Sequence, residues 1–127
     1  KVSGAVDYVV TQYRFDSGAI VHAEGGWTMT PGFGFNMAYT VNFENATLDY
    51  DMSRGDEALR LFESDKDAQT LKLDGDDGYV GELRHLLEAI QSGKKPTRVS
   101  PEDGRIALEI CEAEERSIDS GESVALA

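Results

Sequence analysis

Few residues in this chain have the type and spacing to do chemistry, and most of those lack a partner set. The histidines are His22 and His85, far apart in sequence. Neither has Cys, Asp or Glu around it at zinc-ligand spacing. His85 falls beside Arg84 at the edge of a helical apolar stripe, the place of a solvated or boundary histidine. His22 has Glu24 two residues on, on the same side of a strand, which fits a cross-strand hydrogen-bonded pair on a sheet surface. The acidic run Asp74-Gly75-Asp76-Asp77-Gly78 has the composition of a calcium loop without its frame. Counting from Asp74, the position that demands Gly is Tyr79, and the one that demands Glu is His85. Arg54-Gly55-Asp56 is an adhesion tripeptide too short to carry information. Gly25-Gly26 and Gly32-Phe33-Gly34 lack the strand-to-helix setting of a dinucleotide cradle. No Ser-His-Asp arrangement has a local signature, and Cys111 lies in a helix near its apolar stripe, the place of an inert packing thiol. The residues therefore offer no catalytic, cofactor-binding or metal-binding set.

The loop 27–35 remains. It carries Trp27, Phe33 and Phe35 among glycines that let the backbone approach another body closely. Two uses fit: the rings plug a sheet edge, or they form a ligand wall or protein interface, where aromatics are enriched.

The elements that would position these residues follow from periodicity. Residues 7–15 are β-branched and aromatic, Asp16-Ser17-Gly18 is a tight turn, and 19–28 returns as a second strand, which makes a hairpin. Here Ile20, His22 and Glu24 share one face, and Val21, Ala23 and Trp27 the other. Pro31 to Gly34 breaks the strand. Strict alternation over 36–44 sets Met37, Tyr39, Val41 and Phe43 against Asn36, Ala38, Thr40, Asn42 and Glu44. A turn at Glu44-Asn45 leads to a strand through Ala46, Leu48 and Tyr50, and weaker strands follow at 58–63 and 70–73. The period then changes. Tyr79, Leu83, Leu86, Leu87 and Ile90 form one helical stripe, with an Asp as N-cap and Gly93 as stop. After Lys94-Lys95-Pro96, Ser100-Pro101-Glu102-Asp103 opens a second helix. Its inner stripe is Ile106, Ile110, Ala113 and Ser117, Gly121 ends it, and 123–126 is expected to be a last strand. The pattern predicts an α+β fold: an open-faced, mostly antiparallel sheet with two amphipathic helices packed on one face, in a single domain spanning 1–127.

Bulk properties narrow the function classes. The chain has 127 residues, and 12 Lys and Arg against 24 Asp and Glu give a net charge of −12. Such acidity argues against nucleic acid and anionic membranes as partners, since phosphates need clustered cations. No apolar run approaches the ~20 residues of a bilayer span. The single cysteine excludes an internal disulfide and fits a reducing compartment, hence a cytoplasmic location. Lys1 stands where an initiator Met would, which fits a piece of a longer protein.

The string "AEGGWT", then "GFGFNMAYTVNFENATLDYD", "DGYVGELRHLLEAIQSGKKP" and "VSPEDGRIALEICEAEERSIDSGESVAL" resembles the C-terminal domain of the Gfo/Idh/MocA family of oxidoreductases, from about Asp7 to Leu126. The tail is the most specific part: a helix, a Gly-Pro linker, P-E-D-G, an Ala-Glu-rich helix, and S-x-x-S-G. The resemblance implies an N-terminal Rossmann domain elsewhere that binds NAD or NADP, and hydride transfer on sugars, cyclitols or related polyols. The family's catalytic lysine and histidine and its glycine fingerprint have no counterpart here. The chain alone is therefore expected to bind no cofactor and to be inactive. It would supply a wall of the substrate cleft and an oligomer interface. The family's aromatic-Gly-aromatic loop matches Phe33 and Phe35, with Trp27 nearby. Some relatives carry Tyr there, and Phe removes that hydroxyl, which favours a less hydroxylated substrate. The family's open sheet face pairs subunits into a homo-oligomer, and its candidates here are His22, Glu24, Ala38, Thr40 and Asn42. The competing reading is a free-standing, non-enzymatic α+β module that dimerises or binds a small ligand.

Overall fold

The computed structural model describes residues 6–72, 75 and 77–126. Among these residues the fold is α+β, with six strands, two short 3₁₀ turns and two helices. The chain divides into two compact units, Lys1–Thr30 with Glu82–Ala127, and Pro31–Gly81.

In the first unit, β1 (Tyr8–Arg14) and β2 (Ile20–Gly26) form the antiparallel hairpin that the sequence predicts. Gly18 takes a left-handed φ of +87° in its turn, and its N–H donates to the Phe15 carbonyl at 2.8 Å. Along β1, Val9, Thr11 and Tyr13 are half-buried and alternate with exposed neighbours. That inner face meets α2 (Pro101–Ser120), where Glu114 accepts from both Thr11 and Tyr13. Both ends of α2 carry local stop signals. Ser100 and Asp103 form a reciprocal capping box, Pro101 opens the first turn, and Gly121 closes the helix at φ +74°. Of the expected inner stripe, Ala113 is buried and Ile110 and Ser117 are half-buried, whereas Ile106 is exposed.

In the second unit, β3 (Ala38–Asn42), β4 (Ala46–Asp51), β5 (Leu59–Glu63) and β6 (Gln69–Leu71) form an antiparallel meander in sequence order. Direct pairing sets Tyr39 against Tyr50, Val41 against Leu48, Leu48 against Leu61, and Leu59 against Leu71. Residues that pair share a face, so these make one apolar face, on which the Tyr39 and Tyr50 rings stack 5.1 Å apart. Between β4 and β5, the 3₁₀ turns of Met52–Glu57 are joined by a kink at Gly55, where φ is +60°.

Four expectations need correction. The strands form two sheets rather than one open sheet. The break falls in the 27–37 connection, where Pro31 has no N–H to donate and Gly32 and Gly34 hold φ of +95° and +77°, conformations that end strand pairing. The 123–126 segment is not a strand. The chain before it is tied back to the end of α2, through Ser117 Oγ to the Glu122 carbonyl and the Glu122 N–H to Ser120 Oγ. The weak strand expected at 70–73 is shorter and shifted, and Leu73 lies outside the described residues. Finally, α1 (Gly78–Ser92) buries Ala89 and half-buries His85, whereas Tyr79, Leu83, Leu86, Leu87 and Ile90 are all exposed. Helical spacing states which residues share a face, but not which face finds a neighbour. Among the described residues, only Ala58, Ala89 and Ala113 are buried.

Candidate functional site

The outer face of the β1–β2 hairpin carries Tyr8, Val10, Gln12, His22 and Glu24. The register pairs Gln12 with His22, Val10 with Glu24 and Tyr8 with Gly26. His22 and Glu24 therefore do share a face, as the alternation predicts. The group that engages Glu24 is the Tyr8 hydroxyl, which donates to its Oε1. The Tyr8 ring lies over Gly26, where a Cβ would run into it. Sequence spacing gave no hint of this partner, because it depends on the register of the hairpin.

The inner face holds a second carboxylate contact. Thr11 Oγ1 and the Tyr13 hydroxyl both donate to Glu114 Oε1, at 2.6 and 2.5 Å. Burial and then the Glu114 carboxylate push the Tyr13 phenol up to about 12. A phenol held protonated in this way donates to a carboxylate and does not act as a base near neutrality. The contact joins strand to helix and is not a reactive pair.

The aromatic residues of the 27–35 loop project outward. Trp27 is 87% exposed, Phe33 61% and Phe35 75%. Trp27 belongs to the first unit, where its backbone N–H donates to the Asp7 carbonyl at 2.8 Å. Phe33 and Phe35 belong to the second unit, on either side of Gly34. Nothing would meet a Cβ at Gly32 or Gly34, so their positive φ rather than crowding is what requires glycine there.

Ala38, Thr40 and Asn42 lie together on the polar face of the four-stranded sheet. They are engaged within it: Thr40 Oγ1 donates to Asp49 Oδ1, and Thr47 Oγ1 to Asn42 Oδ1, each at 2.9 Å. Arg54 reaches back to Asp49 at 2.5 Å and Asp51 at 3.7 Å. The Arg54 guanidinium, then the Thr40 hydroxyl, holds the Asp49 carboxyl below the usual range. The Ser53 hydroxyl and backbone N–H do the same for Asp51. These acids are paired, half-buried and anionic, which suits a structural network and not proton transfer.

No group of three His, Cys, Asp or Glu residues that could hold a metal occurs among the described residues. The glycines do not fit a dinucleotide either. Gly25 and Gly26 end an antiparallel strand, and Gly32 and Gly34 lie in the loop before β3, whereas a pyrophosphate needs a strand, a glycine turn and a helix N-terminus in succession. No described helix is long and apolar enough to cross a membrane. No family model matches the chain, and neither a curated protein nor a solved structure matches it.

Proposed function

We propose that this chain is the substrate-side, C-terminal domain of a two-domain NAD(P)-dependent oxidoreductase of the Gfo/Idh/MocA kind. Its substrate is a sugar, cyclitol or related small hydroxy compound, and its compartment the cytoplasm. The observation that carries the reading is the Phe33-Gly34-Phe35 turn, which holds out two exposed rings on a backbone that glycine shapes. Phenyl rings pack on the C–H faces of a ring substrate and offer no hydroxyl, so the better substrate is one with fewer hydroxyls on that side. The carboxylates of Glu24, Asp49, Asp51 and Glu114 are held in structural pairs, and on this reading the acid–base groups belong to the other domain. Cofactor binding belongs to the partner domain, and the chain's apolar surface serves a homo-oligomer contact.

Two measurements test this. In the full-length enzyme, Phe33→Ala and Phe35→Ala should each lower kcat/KM about tenfold, chiefly through KM. The 127-residue chain alone should show no calorimetric binding of NAD or NADP. Unchanged KM in both variants, or micromolar cofactor affinity in the isolated chain, would sink the proposal. The second reading, a free-standing dimerisation module, is favoured by the exposed stripe of α1. The reading frame upstream of Lys1 separates the two. A dinucleotide fingerprint followed by an E-K-P motif supports the enzyme, and a start codon there supports the module.

A further inference from the structure

We infer that His85 is a pH-operated latch on the linker between α1 and α2. The chain leaves α1 through Gly93 at φ +65°, with the Gly93 N–H donating to the Ile90 carbonyl and the Lys94 N–H to Ala89. It then doubles back along the helix. Two successive backbone N–H groups, Thr97 at 2.9 Å and Arg98 at 3.2 Å, donate to the Nε2 atom of His85. Among the described residues, these are the only hydrogen bonds that hold 95–99.

The chemistry of the ring makes this contact conditional. Imidazole Nε2 accepts a hydrogen bond only when it carries no proton, so the latch needs the neutral tautomer with its proton on Nδ1. Its single in-plane lone pair is shared by two donors, which leaves His85 no capacity to serve as a base or metal ligand at that atom. Protonation turns Nε2 into a third donor facing two others, and both bonds are lost together. Imidazole is the side chain whose charge ordinarily changes within the physiological range, so a contact that needs the bare nitrogen is conditional on pH by its chemistry.

Charged groups of both signs surround the ring. On α1, Glu82 and Glu88 stand about one turn to either side of His85, and Arg84 is its sequence neighbour. The linker carries Lys94, Lys95 and Arg98. Beyond the linker, Glu102 and Asp103 at the start of α2 are engaged with Arg105 and Ser100. None of these alters the geometric requirement that the accepting nitrogen be bare. The α2 cap, Ser100, follows Arg98 by two residues, so the latch fixes where the second helix begins relative to the first. Above the titration the linker is pinned to α1; below it the connection between the helices is loose. The device does not depend on the oxidoreductase reading.

NMR of the full 127-residue chain tests the latch. At pH 8 the His85 ring should carry its proton on Nδ1. Between pH 8 and 5, the Thr97 and Arg98 amide resonances should shift with the same midpoint as the ring. Their exchange protection, corrected for intrinsic rates, should fall about fivefold. His85→Gln offers an amide oxygen that accepts without titrating, so it should keep protection and lose the pH dependence. His85→Phe should lack protection at every pH. If the Phe variant does not fold, wild type and the Gln variant decide the matter. A ring protonated on Nε2 at pH 8, or Thr97 and Arg98 amides indifferent to the ring's titration, would overturn the proposal.

Discussion

Tyr13 and Glu114 place a phenol and a carboxylate in contact across a strand and a helix, and one oxygen serves two hydroxyls. Charge-assisted hydrogen bonds of this kind are roughly twice as strong as neutral ones, and removing the acceptor strands both donors at a half-buried site. Glu114→Ala should therefore destabilise the chain by about 1–2 kcal/mol in urea unfolding. It should also move the Tyr13 titration down from about 12 only part of the way to the ordinary value, since burial, the largest single cause, remains when the carboxylate is gone. The sign of the pH effect follows. A phenol whose folded pKa is raised adds stability that is fully present below pH ~10, where the unfolded chain's tyrosines are still protonated, and is lost as pH climbs towards 12. Ultraviolet titration of phenolate absorbance measures both. If Tyr13 ionised at the ordinary phenol value near pH ~10, the strand–helix contact would be absent in solution.

At the scale of the elements, α2 depends on its first turn. The Ser100 hydroxyl donates to Asp103 at 2.7 Å and accepts from its backbone N–H at 3.3 Å, while the Ser100 N–H donates to the same carboxylate at 2.8 Å. Ser100→Ala should cost about 1 kcal/mol, read by thermal or urea unfolding, with helicity lost first at the N-terminal turn. The Ser100 hydroxyl, then its N–H, also holds the Asp103 carboxyl below the usual range, so the cap is intact above ordinary carboxylate pKa values and fails as pH falls through the lowered one. In the Ala variant Asp103 should titrate higher, which a carbon-detected NMR titration would register. This element was legible in the sequence because Ser, Pro, Glu, Asp and the terminal Gly act within a few residues of one another. The hairpin around Gly18 and the alternation of Tyr39 and Val41 were legible for the same reason. What escaped is which segments find partners: the α1 stripe stays unburied, the break at Pro31 to Gly34 divides two sheets rather than bending one, and the tail after Gly121 bonds back to the end of α2. The candidate site divides along the same line. That His22 and Glu24 share a face follows from period two, but the Tyr8 partner comes from register, and the backbone donors on His85 come from a linker folding back.

For the whole chain, surface and charge set opposing demands. The accessible surface is 10863 Å², whereas two separate compact units of this combined mass would expose only about 8,000 Å². Among the described residues, exposed apolar side chains contribute to it at Trp27 and Phe35 around the loop, and at Tyr79, Leu83 and Ile90 along α1. Apolar area of this extent drives association, since each Å² removed from water is worth about 25 cal/mol before the costs of binding are met. A net charge of −12 works against two copies meeting, because each carries the same sign over much of its surface. Added salt screens that repulsion, the Debye length falling from about 30 Å at 0.01 M to about 3 Å at 1 M, and leaves the apolar attraction in place. Self-association should therefore strengthen as salt rises, the reverse of an assembly held by ion pairs. Sedimentation across that range should show the mean mass moving from monomer towards dimer or larger. Leu83→Glu with Leu87→Glu, which puts charge on the exposed stripe without touching buried Ala89, should hold the chain as a monomer at every salt concentration. A parent chain that stays monomeric at high concentration and high salt would mean that its apolar faces close on one another in solution, and the oligomer contact would then have no surface to use.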